Sequence, residues 1–133
     1  MKKSFYQWLF RVVLALVCLL TTTSAWADVT IYVSTVDGNA PALYIYGNNG
    51  GSPTVNGKNY NGSPVLLTKN STIGGKTWWY ETFSGMNSCN AIFTKANGAW
   101  TNQTADILNV SGNRFYTYDS SKDKNNNNHA DVT

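Results

Sequence analysis

The chain has 133 residues, ten Lys and Arg against seven Asp and Glu, and 14% aromatic residues. Three of the ten basic residues, Lys2, Lys3 and Arg11, lie near the N-terminus, so the rest of the chain carries seven basic and seven acidic groups and no net charge. That balance excludes a basic surface that neutralises phosphates, and with it an electrostatic footprint for nucleic acid or an anionic membrane.

Taken in order, Lys2, Lys3 and Arg11 precede a short apolar run, Val12 to Leu20, and Ala25-Trp26-Ala27 fits a small-x-small cleavage pattern. A secretory signal peptide over residues 1–27, cut after Ala27, is therefore expected. The run falls far short of the ~20 residues of a membrane-spanning helix. A retained N-terminal anchor is the alternative. Lipidation at Cys18 is rejected, because Val17 stands where a small residue is needed. The expected location is the periplasm, the cell surface or the medium, with no membrane insertion after cleavage. Cleavage leaves Cys89 as the single cysteine, so stability must come from a packed core rather than a disulfide. A lone Cys beside a strand-like run reads as a small buried hydrophobe.

Short β-like runs then recur between turn-rich segments. Val29, Ile31 and Val33 alternate with Thr30, Tyr32 and Ser34, a strand with one buried face. After the turn cluster Asp37-Gly38-Asn39 comes Pro41-Ala42-Leu43-Tyr44-Ile45-Tyr46-Gly47, again with period two. Leu43 and Ile45 seek burial, which leaves Tyr44 and Tyr46 side by side on the other face, about 7 Å apart. Two rings on a rigid strand make a stacking platform for sugars, whose C–H faces are apolar while their hydroxyls seek hydrogen bonds. The alternative is that both rings pack under a loop or a second sheet. Gly47 to Gly62 reads as a loop, Pro64 to Leu67 as an edge strand, and Thr77 to Phe83, Ala91 to Thr94 and Arg114 to Tyr118 as further strands. Either Trp79 with Phe83 or Trp78 with Tyr80 faces inward; Phe93 and Phe115 are expected in the core. No helical period occurs, so the fold class is all-β, a single-domain antiparallel sandwich or barrel.

Residues 120–133, with Asn125 to Asn128 in a row, contain little to bury and read as a polar linker after a domain over 28–119. Ala27-Asp28-Val29-Thr30 recurs there as Ala130-Asp131-Val132-Thr133. The repeat suggests that a second, similar module begins at that point, unless it is coincidence.

Catalytic readings find little support. Glycoside hydrolysis usually needs two facing carboxylates, and no spacing suggests a pair. The single His, His129, lies in the tail, where it cannot assemble a triad or a metal cluster with the strands. No catalytic residue, metal or cofactor is expected. The residues left over are aromatic and amide-rich, with Trp78, Trp79, Trp100 and several Tyr among Asn, Gln, Thr and Lys.

Five motifs in order carry a resemblance: Tyr-Ile-Tyr at 44–46, Tyr-Asn-Gly-x-Pro at 60–64, Trp-Trp-Tyr at 78–80, Ala-Ile-Phe-Thr at 91–94 and Asn-Gln-Thr-Ala-Asp-Ile at 102–107. Together, over about residues 29–119, they resemble the starch-binding modules of carbohydrate-binding module family 26. The resemblance implies an immunoglobulin-like antiparallel β-sandwich that binds α-1,4-glucan (starch, maltooligosaccharides) without catalysis, attached to an amylase domain or carried in tandem. It implies Tyr44 and Tyr46 as the strand pair, Tyr60 as a loop ring that completes the platform, and Gln103 as a hydrogen-bonding side chain. Trp100 and Lys95 are further candidates. The rival expectation is a structural or adhesive sandwich, a spacer in a larger secreted or surface protein.

Overall fold

β-Branched residues at alternate positions suit a strand with one buried face, and Val29, Ile31 and Val33 form the fully buried face of β1 (Asp28–Thr35). The computed structural model describes residues 27–133, so the expected signal peptide lies outside the described residues apart from Ala27. Next come β2 (Ala42–Gly50), a small hairpin of β3 (Thr54–Val55) and β4 (Lys58–Asn59), then β5 (Val65–Leu66) and β6 (Lys69–Ile73). The longer β7 (Lys76–Ser84) and β8 (Met86–Thr94) follow, then β9 (Ile107–Val110), β10 (Asn113–Tyr118), a 3₁₀ turn at Lys124–Asn126 and β11 (His129–Asp131). Ile73 pairs with Lys76 across Gly74-Gly75, whose φ values of +59° and +76° fit the two-residue turn that favours tight hairpins.

Nine of the eleven strands form the two main sheets, in the orders β11-β10-β1-β7-β6 and β5-β2-β8-β9, and β3 and β4 pair only with each other. Between them lies one core: Val29, Ile31 and Val33 of β1, Leu43 and Ile45 of β2, Phe83 of β7, Met86, Cys89, Ala91 and Phe93 of β8, and Tyr116 and Tyr118 of β10. The chain is an all-β sandwich. Phe93 meets Tyr116 and Tyr118 with ring centroids 5.6 and 6.0 Å apart, which places aromatic contacts at the centre of the interface between the sheets. The expected edge strand near Pro64 is found: β5 closes one side of the four-stranded sheet. Cys89 is buried, and desolvation pushes its thiol up to about 11.

Four sequence expectations need correction. β1 and β10 run parallel, so the sandwich is not wholly antiparallel; the two strands come from distant parts of the chain and no hairpin fixes their direction. The loop expected over Gly47 to Gly62 holds the end of β2 and the β3–β4 hairpin. Phe115 faces away from the core and stacks on Tyr32 at 4.4 Å, because it pairs across the ladder with Tyr32, an outward residue of β1. Residues 120–133 are not a linker: β11 pairs antiparallel with β10, so the second Ala-Asp-Val-Thr belongs to this sandwich.

On β7, Trp79 packs against the core with Phe83, while Trp78 and Tyr80 face outward.

Candidate functional site

The solvent face of the four-stranded sheet carries the aromatic pair expected from the sequence. Leu43 and Ile45 are fully buried, and Tyr44 and Tyr46 on the opposite face are half-exposed. Their ring centroids are 5.9 Å apart and their planes 25° apart, a loosely stacked pair. Both retain ring surface toward solvent.

A third ring comes from the β8–β9 connection. Its first turn is closed by Lys95 N–H donating to the Thr101 carbonyl at 3.1 Å. It is tied to β5 by Gly98 N–H on the Pro64 carbonyl and by Leu66 N–H on Asn97 Oδ1. Those bonds set Trp100 against Tyr44, centroids 4.8 Å apart and planes at 71°. Trp100 is 45% exposed, and its steep angle to Tyr44 turns a flat pair into an angled cradle.

Polar groups border the rings. Asn90 pairs with Tyr46 across the β2–β8 ladder, and its Oδ1 accepts the Asn109 N–H at 3.1 Å. Its Nδ2 lies over Gly47, where a Cβ would come within 2.7 Å; that glycine gives the amide room to lie beside Tyr46. Partial burial, and then the Asp106 carboxylate that its hydroxyl faces, push the Tyr46 hydroxyl above its ordinary value of 10.0. Sequence reasoning missed Asn90 and Asp106 as border residues. For Asn90 the signal was available, since a residue opposite Tyr46 shares its face.

The remaining sequence candidates fall in different places. Tyr60 is 0% exposed and is no platform ring. Its carbonyl accepts the Ile45 N–H at 3.0 Å, which lays the loop along the free edge of β2 opposite a core-facing residue. The Tyr60 ring therefore turns inward onto Phe83, and its hydroxyl donates to Glu81 Oε2 at 2.8 Å. Burial, reinforced by Glu81, holds that hydroxyl well above the ordinary tyrosine value. Gln103 is half-buried beside Thr104, which is buried and fastened to Phe93 through both its N–H and its Oγ1. Lys95 is exposed at the base of the Trp100 turn. The structure thus brings together Tyr44, Tyr46 and Trp100, and places Tyr60 elsewhere.

A second aromatic group lies on the outer face of the five-stranded sheet, with Tyr32 between Phe115 and Tyr80 and Trp78 edge-on to Phe115. Tyr32 and Phe115 are stacked within 4° of parallel, so each ring covers the other and their edges point outward. Such a stack stabilises the sheet, and its tryptophan, Trp78, is buried where Trp100 of the Tyr44 group is exposed.

Among the described residues, no three or more His, Cys, Asp and Glu side chains converge as metal ligands. Glu81 is buried and held by Tyr60, Lys69 Nζ at 2.7 Å and the Thr82 N–H, so it serves the interior of the sandwich. Compared with known proteins, the chain matches no family model, no curated protein and no solved structure.

Proposed function

We propose that the protein is an exported, non-catalytic carbohydrate-binding module whose ligand is an α-1,4-glucan. The observation that carries this reading is the half-exposed group of Tyr44, Tyr46 and Trp100 on one sheet face, angled into a cradle and bordered by Asn90 and Asp106. Sugar rings stack on such faces through their C–H surfaces, and a bent row of rings suits a curved glucan better than a flat chain. The ordered motifs that resemble family 26 support the same ligand class. The spacer reading requires the rings to be covered by protein, and their exposure weighs against it.

Each ring should contribute on the order of 1 kcal/mol. After the cost of association, single-site affinity falls in the roughly micromolar to millimolar range. Affinity electrophoresis in soluble starch tests this, beside a cellulose-type gel and two variants, Trp100→Ala and Tyr44→Ala/Tyr46→Ala. Wild type is expected to be retarded by starch alone, about fivefold less after loss of Trp100, and not at all in the folded double variant. A folded wild type that migrates freely at high starch concentration overturns the proposal.

A further inference from the structure

The asparagine run that reads as low complexity lies under the Trp100 loop. The chain leaves the sheet after Tyr118 and rejoins it at His129, the excursion being closed by Asp119 N–H on the Asn128 carbonyl at 2.7 Å. Within it Asp123 caps the 3₁₀ turn, Asn127 takes a left-handed conformation at φ +49°, and Asn128 follows, 1% exposed. The Asn128 Nδ2 donates to the carbonyls of Asn102 at 3.1 Å, Gln103 at 3.0 Å and Lys122 at 3.1 Å. Two N–H groups among three acceptors means that one is shared. The reverse amide orientation would set an oxygen against three carbonyl oxygens, so the donating orientation is fixed. Asn102 is pinned further: its carbonyl also accepts the Tyr118 hydroxyl at 2.7 Å, and its Nδ2 donates to the Ser120 carbonyl at 2.7 Å.

We infer that Asn128 is a positioning residue for the glucan-binding face, tying the 119–128 excursion to the Asn102–Gln103 backbone and so holding Trp100 against Tyr44. This rests on the binding function proposed above. The near end of the loop is closed by the Lys95–Thr101 bond; Asn128 secures the far end, two residues beyond Trp100. A ring fixed before the ligand arrives loses less conformational freedom on binding. The Asn128 side chain bonds to the carbonyls of Asn102, Gln103 and Lys122 and to no group of the cradle, so its effect travels through the backbone.

The test compares the full chain with Asn128→Ala and the isosteric Asn128→Asp, which replaces the donor amide by an acceptor. Two readouts are taken: starch affinity, and the mobility of the Trp100 indole N–H by nitrogen relaxation without ligand. Both variants are expected to mobilise the indole and weaken starch binding about tenfold, the effect of losing roughly one net hydrogen bond. Near-ultraviolet circular dichroism reports whether each variant is folded. Should neither fold, hydrogen exchange on wild type decides: the Thr104 and Asp119 amides must open together, and independent opening overturns the inference. An indole that stays rigid in a folded variant, or becomes mobile with unchanged affinity, overturns it as well. Failure of wild type to bind starch removes the ligand reading, while the indole measurement still judges the clamp.

Discussion

At the level of single residues, the same amino acid does opposite work at Tyr44 and Tyr60. Tyr44 keeps part of its surface in solvent, whereas Tyr60 is enclosed with its hydroxyl on Glu81. Tyr60→Phe deletes a donor to a buried carboxylate that keeps Lys69 and the Thr82 N–H, so a loss of about 2 kcal/mol is expected. Tyr44→Phe should change stability by less than about 0.5 kcal/mol. Urea unfolding midpoints of the two variants, measured side by side, check this; equal midpoints would contradict the buried role of Tyr60. The contrast also marks what the sequence could reveal. Period two alone sorts Leu43 and Ile45 from Tyr44 and Tyr46, because a strand's faces follow from neighbouring positions. The orientation of Tyr60 depends on its bond to Ile45, fifteen residues earlier, and no local pattern encodes that register. Asn128 is harder still. Four identical residues in a row have no periodicity, yet Asn127 reverses the chain and Asn128 binds three carbonyls.

Among the strands, those with apolar alternation were predictable, and of those that border the sheets only β5, marked by Pro64, was. β6 lacks a hydrophobic face, since an edge strand needs only ladder bonds to its one neighbour, and β9 is four residues long with Asn109 in a left-handed conformation that breaks its alternation. β11 is the clearest case: three residues, no apolar face, and a pairing with β10 that the polar composition around it conceals. It also carries a titratable group. His129 pairs with Tyr118, and burial holds its imidazole below the ordinary value of 6.5. The unfolded chain therefore takes up the proton first. Stability present above pH 6.5 is lost as the pH falls through the lower folded value. Unfolding midpoints measured from pH 7.5 to pH 5 should fall in wild type and stay flatter in His129→Asn. Equal slopes would remove His129 as the cause.

For the molecule as a whole, neutrality limits how a ligand can be held. Seven basic and seven acidic residues beyond Arg11 leave no net field to draw in an anion. A face of two Tyr and one Trp, bordered by Asn90 and Asp106, offers ring surface and hydrogen bonds to a neutral partner. Binding by stacking should therefore be almost independent of salt, whereas capture of a polyanion loses affinity steeply as counterion release weakens. Raising sodium chloride from 0.05 to 0.5 M shortens the screening length from roughly 14 to 4 Å. Starch affinity should change by less than about twofold across that range, as read by electrophoresis or calorimetry. A steep fall would point to Lys95, exposed at the base of the Trp100 turn, as a charge contact that the aromatic rings do not provide. Weak, salt-insensitive contacts of this kind gain most from repetition, because a second linked copy meets the same polysaccharide at an effective concentration near millimolar. On the proposed function, affinity for the polymer would then come from the number of cradles that meet it, and the choice of sugar from each cradle.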